Sequence, residues 1–354
     1  MSTEPPSSGL GHPEEPSVSG AQRITGKLWA TQGYVVGIEI SGSGARQSVA
    51  LADLDGNLLY RVRRPLDYVP DTQTVLSLLD EMIREATQPE RLRDGRILRV
   101  GIAVGGLVDA RLGVVRTLYH AHRWDNFPLQ DYFTDKMGVP CIVDNNANAA
   151  ALAEVIRGAG VGERVVLYIG LGRGIGGGLI VNGSIFHGTT CTAGEIGHIL
   201  VREQGPKCSC GGYGHLEAIA SAQAIVRSMI GQSVEHPESE AAIRRVTGAR
   251  AERITAVQVF ELAAAGDQVA QKIVGDVQNS LGVALANIVQ VVNPGMIILG
   301  GPLAQAGELL IAPLRARIQE LSLPAATQSL RIVSGSLGAE ASLIGAVTLA
   351  LQDI

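Results

Sequence analysis

The sequence predicts a layered α/β fold, and three observations carry that reading. Apolar runs of strand length alternate with longer segments of helical periodicity, the pattern of sheets covered by helices. A unit of strand, glycine turn, strand, tight turn and strand occurs twice, beginning at Tyr34 and again at Arg164. The 354 residues are 46% hydrophobic, enough for about two buried cores.

Residues 1–33 are rich in Pro, Ser, Gly and Glu and almost lack apolar periodicity, so a disordered tail is expected there. The tail is too short and too irregular for a three-helix DNA-binding unit. Strands are expected at Tyr34–Ile40, Arg46–Ala52 and Leu58–Arg63, joined by a glycine turn and by the tight turn Asp55-Gly56-Asn57. Thr72–Ala86 has helical spacing, and Ile97–Val104 reads as a buried strand opening into Gly105-Gly106. Cys141–Val143 is a short strand before an Ala-rich helix, Ala147–Arg157, that Gly158 ends.

The second half repeats the opening. Val165–Ile169 is a strand, glycines follow, and Gly178–Val181 and Ser184–Phe186 pair through an Asn182-Gly183 hairpin turn. A long helix spans about 269–291, and the strand Met296–Leu299 runs into Gly300-Gly301-Pro302. Helix Glu308–Leu321, strand Leu330–Ser334 and helix Ala339–Leu351 complete the chain.

The charge balance and the cysteines narrow the function. A net charge of −5 gives no electrostatic footprint for nucleic acid. No apolar run reaches membrane-span length, and the N-terminus lacks the basic-then-apolar order of a signal peptide, so a cytoplasmic protein is expected. In such a compartment four cysteines read as free thiols or metal ligands.

The chemistry concentrates between Leu167 and Glu217. Glycines at 170, 172, 174, 176, 177 and 178 let a backbone approach a ligand, and such a loop can cradle phosphate. Gly194-Glu195-Ile196-Gly197-His198 follows, then Cys208-Ser209-Cys210-Gly211-Gly212-Tyr213-Gly214-His215-Leu216-Glu217. Two thiolates and two imidazoles, from His198, Cys208, Cys210 and His215, satisfy a closed tetrahedral zinc site. The alternative is two surface thiols beside unrelated histidines. Finding two of only four cysteines in one glycine-rich turn favours metal, although the spacing alone does not settle it.

Taken in order, these motifs resemble the ROK family of sugar kinases and sugar-responsive repressors over about residues 34–352. The family pattern has a third cysteine where His215 stands, an exchange that keeps four ligands. The resemblance implies a two-domain actin-like ATPase (ribonuclease-H-like) fold with an inserted zinc turn. An N-terminal α/β domain would span 34–150, completed by the helix at 339–352. A C-terminal α/β domain would span 151–338, with a zinc-binding insertion at 198–266. It also implies a small-molecule sugar as ligand, a homodimer, and Mg-ATP as the phosphate donor wherever the kinase chemistry survives.

By resemblance, Asn145, Asn146, Glu195, His198 and Glu217 line the sugar pocket. Family kinases carry their general-base aspartate inside Asn-Asp-Ala-Asn, and here Asp144-Asn145-Asn146-Ala147-Asn148 puts Asn146 at that position. An amide can hydrogen-bond a hydroxyl but cannot take its proton. Helix capping is the alternative role for these asparagines, and it would account for one but not both. The first phosphate loop, with Glu39, Gly42 and Ser43, has Glu for Asp, Ser for Thr and no lysine. In the second loop, with Gly172, Gly174 and Gly176, Arg173 replaces a small hydroxyl residue, whereas Gly300 and Gly301 match the third nucleotide-side segment. The expected function is therefore a sugar-binding sensor or regulator with weak or no catalysis. The alternative is an ATP-dependent sugar kinase of glucokinase or N-acylhexosamine kinase type.

Overall fold

The computed structural model describes residues 33–42, 46–66, 71–118, 121, 123–248, 250–352 and 354. The expected tail up to residue 32 and Ser43 of the first loop lie outside the described residues. The first half runs β1 (Gly33–Ile40), β2 (Arg46–Asp53), β3 (Leu58–Pro65), α1 (Thr72–Ala86), α2 (Pro89–Leu92) and β4 (Arg96–Val104). It continues with β5 (Leu107–Asp109), β6 (Val114–Thr117), α3 (Leu129–Met137), β7 (Cys141–Asn145) and α4 (Asn146–Arg157). The second half opens with β8 (Val165–Leu171), β9 (Ile175–Val181) and β10 (Ser184–Ile185). Helices α5 (Leu216–Ala220), α6 (Ala222–Ser233), α7 (Pro237–Thr247), α8 (Ala256–Ala264) and α9 (Gln268–Val292) come next. The chain closes with β11 (Met296–Gly300), α10 (Glu308–Leu321), α11 (Pro324–Thr327), β12 (Arg331–Ser334) and α12 (Ala341–Leu351).

The repeat read in the sequence becomes two five-stranded sheets of the same order, β3-β2-β1-β4-β7 and β10-β9-β8-β11-β12. In each, the first three strands form an antiparallel meander and the last two add in parallel. Tight turns can join only antiparallel neighbours, so the parallel strands are reached through helices. Asn182 and Gly183 both have positive φ (51° and 80°), the turn that an Asn-Gly pair favours between twisted strands.

Helices cover both faces of each sheet. Along β1, Tyr34, Val36, Ile38 and Ile40 point into a core with α1 and α3, while Val35 meets α12. Alternation of side chains in a strand produces this division, and it explains why β1 is buried throughout and apolar but for Glu39. In β8, Leu167, Ile169 and Leu171 face the core built with α5–α10, and Val166 and Tyr168 face α4 and α12. Helix α12 packs on β1, β4 and α4, and α4 packs on β8 and β9, so these two helices lie between the sheets. They cross at backbone distance, since a Cβ on Gly345 would lie 2.2 Å from the Ala149 carbonyl oxygen. Among the described residues no helix is long and apolar enough to cross a membrane.

One glycine reading changes in the fold, and another holds with a different backbone geometry. The strand expected from Gly178 starts three residues earlier, so Gly176 and Gly177, read in the sequence as loop, belong to β9 with Gly178, and the three pair with Gly170, Ile169 and Tyr168. A Cβ on Gly178 would lie 2.6 Å from the Ala147 carbonyl oxygen and 2.7 Å from the Ala151 Cβ, so bare backbone is what admits α4. Gly158 does end α4, but with φ of −125° rather than in the left-handed form. A Cβ there would lie 2.1 Å from the Glu154 carboxylate. That carboxylate is fully buried and accepts from the Ala159, Ser336 and Leu337 amides, which ties α4 to the turn after β12.

The same substitution should act with opposite signs at two glycines. Gly178→Ala forces backbone to move at the α4 contact and should destabilise the fold by about 1–3 kcal/mol. Gly275→Ala, on the exposed face of α9 with open space around it, should stabilise by about 0.5–1 kcal/mol. Denaturant melts of both variants check the pair.

Candidate functional site

Three segments meet around β9. On one face of this strand, Ala147 at the start of α4 packs against Gly176 and Gly178. On the other face, a Cβ at Gly177 would lie 2.5 Å from the Gly194 carbonyl oxygen, so the Gly194–His198 turn lies against the same strand. A Cβ on Gly197 would likewise lie 2.2 Å from the Ile175 carbonyl oxygen. The period-two alternation of a strand thus brings the asparagines of α4 and the acid of the turn to one strand end.

Asn145 is the N-cap of α4. Its Oδ1 accepts the amides of Ala147 (2.7 Å) and Asn148 (3.4 Å), and its Nδ2 donates to the Gly106 carbonyl oxygen at 2.8 Å. One amide hydrogen of Asn145 is left for a ligand. The capping role proposed for one asparagine falls on Asn145. Asn146, half-buried in the first turn of α4, makes no side-chain hydrogen bond to another described residue.

The carboxylates of Glu195 and Glu217 differ in their surroundings. Glu217 Oε2 accepts the Ile175 amide at 3.0 Å, and its Oε1 accepts the Ser209 hydroxyl at 2.8 Å. A Cβ on Gly174 would lie 2.4 Å from this carboxylate, so Gly174 serves Glu217 as much as it serves the loop. Glu195 lies 3.8 Å from the His198 Nε2 and makes no hydrogen bond to another side chain among the described residues. Burial, helped by the charge of Glu217, pushes its carboxyl up to about 7. Of the two acids, Glu195 has the unmet hydrogen-bonding capacity.

His198 turns its two nitrogens to different neighbours. Nε2 faces Glu195, and Nδ1 lies 3.7 Å from the Cys208 Sγ. On the far side of the cluster, Cys210 Sγ lies 3.2 Å from the His215 Nδ1. The four ligand atoms of His198, Cys208, Cys210 and His215 all fall within 4.8 Å of one another, which suits tetrahedral coordination of a dication. Gly212 makes room for the His215 ring, because a Cβ there would lie 2.4 Å from it. Burial lowers the His198 pKa and raises that of the Cys208 thiol. A neutral imidazole is what a metal requires, and thiolate formation calls for a nearby cation.

The expected nucleotide side is dispersed over several elements. Glu39 is buried inside β1, where it accepts from the Ser48 hydroxyl at 2.9 Å and lies 3.6 Å from Arg46. Gly42 backs directly onto Gly105, each too close for a side chain. Gly172 accepts the Ala222 amide at 2.9 Å through its carbonyl oxygen. Gly300 ends β11 under the Tyr168 hydroxyl, and Gly301 takes a positive φ of 79°. Arg173 is exposed and lines a cavity of about 300 Å³ with Ala222, Val226, Ala256, Pro302 and Leu303.

Three polar groups near the site were given no role by the sequence. Asp144 is buried and bonds His187 Nε2 at 2.6 Å and Asn148 Nδ2 at 2.9 Å. The Oδ1 of Asn148 is buried without a hydrogen-bond partner. His187 stands in no motif, and only its proximity to the hairpin before Glu195 could have drawn notice.

Two sheets of one order with paired helices between them make an actin-like ATPase fold, and the metal-ligand cluster and Gly-Glu-Ile-Gly-His turn narrow the class. Residues 35–353 match the ROK family, and the chain belongs to it. Its relatives include a glucokinase of Halalkalibacterium halodurans, 32% identical over 323 residues, covering 90% of this chain and 96% of the relative. A xylose repressor of Caldicellulosiruptor bescii is 28% identical, covering 91% of this chain and 79% of the relative. The crystal structure of a ROK family glucokinase from Streptomyces griseus, in complex with glucose and AMPPNP, superposes with a TM-score of 0.77 at 28% identity. That alignment covers 90% of this chain and 99% of the other.

The cap role of Asn145 can be separated from any ligand role by stability alone. Asn145→Ala should cost about 0.5–2 kcal/mol in ligand-free protein, because two helix amides lose their acceptor. Asn145→Asp keeps the cap oxygen and should lose less, and urea melts of the two variants give the comparison.

Proposed function

We propose that this ROK protein binds a sugar and acts as a sugar-responsive regulator or sensor with weak or no phosphotransfer. The observation that carries the reading is Asn146, placed in the first turn of α4 where the family's base would stand, with its amide uncommitted. A hydroxyl attacking a γ-phosphate must shed its proton as the bond forms, and an amide cannot receive it. Asp144 is no ready substitute, because its oxygens are already held by Asn148, the Asn145 amide and His187. Loss of a general base commonly costs about 10²–10⁴-fold.

In this reading a sugar lies beside Asn146, with Glu195 accepting from neighbouring hydroxyls and His198 Nε2 beside it. Asn145 contributes its remaining N–H, and Glu217 acts chiefly by fixing the turn against β9. The ion of the His198, Cys208, Cys210 and His215 cluster is zinc, with a structural role. It would hold the His198 ring so that Nε2 keeps facing Glu195.

A kinase is the second reading, and the cavity beside Arg173 and Pro302 favours it, as does the 32% identity to a glucokinase. Its apolar walls suit a nucleotide base, and the Arg173 guanidinium suits a phosphate. Against it stands the first loop, where the Glu39 carboxylate is engaged by Ser48 and Arg46 inside the sheet.

Coupled ADP release over hexoses and N-acylhexosamines separates the two readings. Negligible sugar-dependent turnover is expected, with partial recovery in Asn146→Asp that appears in turnover more than in sugar affinity. Wild-type turnover of about 1–10³ s⁻¹ would establish the kinase instead. Sugar should still shift the melting temperature without nucleotide, and Glu195→Ala should abolish that shift.

Metal analysis tests the zinc assignment independently. Purified protein should carry about one zinc per chain, and Cys208→Ala or His215→Ala should release it with loss of stability. Metal-free protein of unchanged stability would remove the assignment.

A further inference from the structure

The loop between β10 and Glu195 leaves the second sheet and is fastened to residues of the first half at two points. His187, at its start, meets Asp144 at the end of β7, with Nε2 2.6 Å from Oδ2. Cys191, in the middle, is buried with its Sγ 3.6 Å from the Asp109 Oδ1 on β5. Asp109 is itself fixed by Arg116 at 2.9 Å and Arg111 at 3.5 Å. The loop also closes on its own root, since the Ala193 amide donates to the His187 carbonyl oxygen at 3.1 Å. Cys191 has a positive φ of 57°, a conformation that a side-chain-bearing residue adopts only when its surroundings impose it.

The two partners of the first fastening differ in what they can do without it. Asp144 is 3% exposed, and a buried carboxylate demands hydrogen bonds and a countercharge. Asn148 and the Asn145 amide supply hydrogen bonds, and His187 supplies a third, with a countercharge whenever its ring is protonated. The His187 side chain is 32% exposed and would be solvated comfortably elsewhere. The pair therefore recruits the loop to the strand end rather than the reverse. Asp144 immediately precedes Asn145 and Asn146, and the loop runs directly into Gly194 and Glu195.

We propose, on the sugar-binding reading above, that His187 is a positioning residue: its bond to Asp144 holds the Glu195 loop in register with Asn145 and Asn146. The ring does not touch the sugar. Its contribution is to raise the fraction of molecules in which both sides of the site face one another, and apparent affinity scales with that fraction. Asp144 and Arg111 are the charged groups that face the ring. The Asp144 hydrogen bond raises the His187 pKa, against burial and Arg111. A raised histidine holds its interaction fully below its ordinary value of about 6.5 and loses it as pH climbs through the elevated one. The fastening should therefore weaken in alkali.

The test compares wild type, His187→Gln and His187→Ala by titration calorimetry with the sugar that shifts the wild-type melting temperature most. His187→Gln can still donate an N–H to Asp144 but carries no titrating proton. It should bind the sugar about threefold more weakly than wild type below the raised His187 pKa, where the charged pair is intact, and approach wild type in alkali, where the neutral ring likewise donates a single N–H. Any titration of Glu195 is common to both proteins and cancels in their ratio. His187→Ala should bind about tenfold more weakly, as expected if the loop is in place a tenth of the time. Its Ala193 and Glu195 amides should exchange faster with deuterium in sugar-free protein, at unchanged metal content. If His187→Ala does not fold, the pH profile of His187→Gln decides. A wild type that answers a sugar while all three proteins bind alike at every pH overturns the positioning role alone. A wild type that answers no sugar overturns the sugar reading, and the positioning role with it.

Discussion

Helix α4 lies against β9 at a distance that only bare backbone allows, and much of the site follows from that approach. Gly176 and Gly178 turn toward Ala147 and Ala151, and Gly177 turns the other way toward Gly194 and Ile196. Because the strand alternates its faces, one run of three glycines sets the positions of two different segments. The asparagines arrive at the strand end with the first turn of α4, and Glu195 arrives with the turn on the far side. The buried Glu154 carboxylate then anchors the other end of α4 to the turn after β12. Interiors this close-packed pass small displacements on, so a shift at this contact would be felt by the segments on both faces of β9.

The acids of the region sort by what already satisfies them. Asp144, Asp109 and Glu154 are buried and fully engaged, and they join elements together. Glu39, read in the sequence as a phosphate-loop acid, is buried with Ser48 and Arg46 beside it in β1 and β2. Glu217 spends its oxygens on the Ile175 amide and the Ser209 hydroxyl. Glu195 has no comparable donors, and burial raises its pKa. Half-buried, it keeps more acceptor capacity than Glu217 does. The metal-ligand cluster adjoins it through one imidazole, since His198 presents Nδ1 to Cys208 and Nε2 to Glu195.

Much of this arrangement was legible in the chain. The repeated strand–turn unit gave two sheets of the same order, and Asn182-Gly183 formed the tight hairpin turn its residues require. Thr72–Ala86 and Glu308–Leu321 have the helix limits that their periodicity suggests. The four clustered histidine and cysteine ligands converge as their spacing allowed. Other features escaped because their cause is distant in sequence. Glycines at 176 and 177 look like a phosphate loop, and only pairing with β8 and the approach of α4, about 30 residues earlier in the chain, show them to be strand residues. The hairpin β5–β6 has strands of three and four residues, too short for an alternation to emerge, and α3 is only nine residues long although Leu129, Tyr132, Phe133 and Met137 have helical spacing.

Local chemistry was what the sequence determined by itself: which segments pair through tight turns, which faces are apolar, which four side chains can bind an ion, and that position 146 carries an amide. These are properties of neighbouring residues, and spacing along the chain is enough to express them. Tertiary structure alone decided which asparagine caps α4, which of Glu195 and Glu217 is engaged by backbone and hydroxyl donors, and that His187 meets Asp144. Those outcomes depend on hydrogen-bond partners up to 43 residues apart, such as Asp144 with His187. A polar side chain's role is set by whichever donor or acceptor reaches it first in the folded packing, and sequence spacing carries no record of that competition.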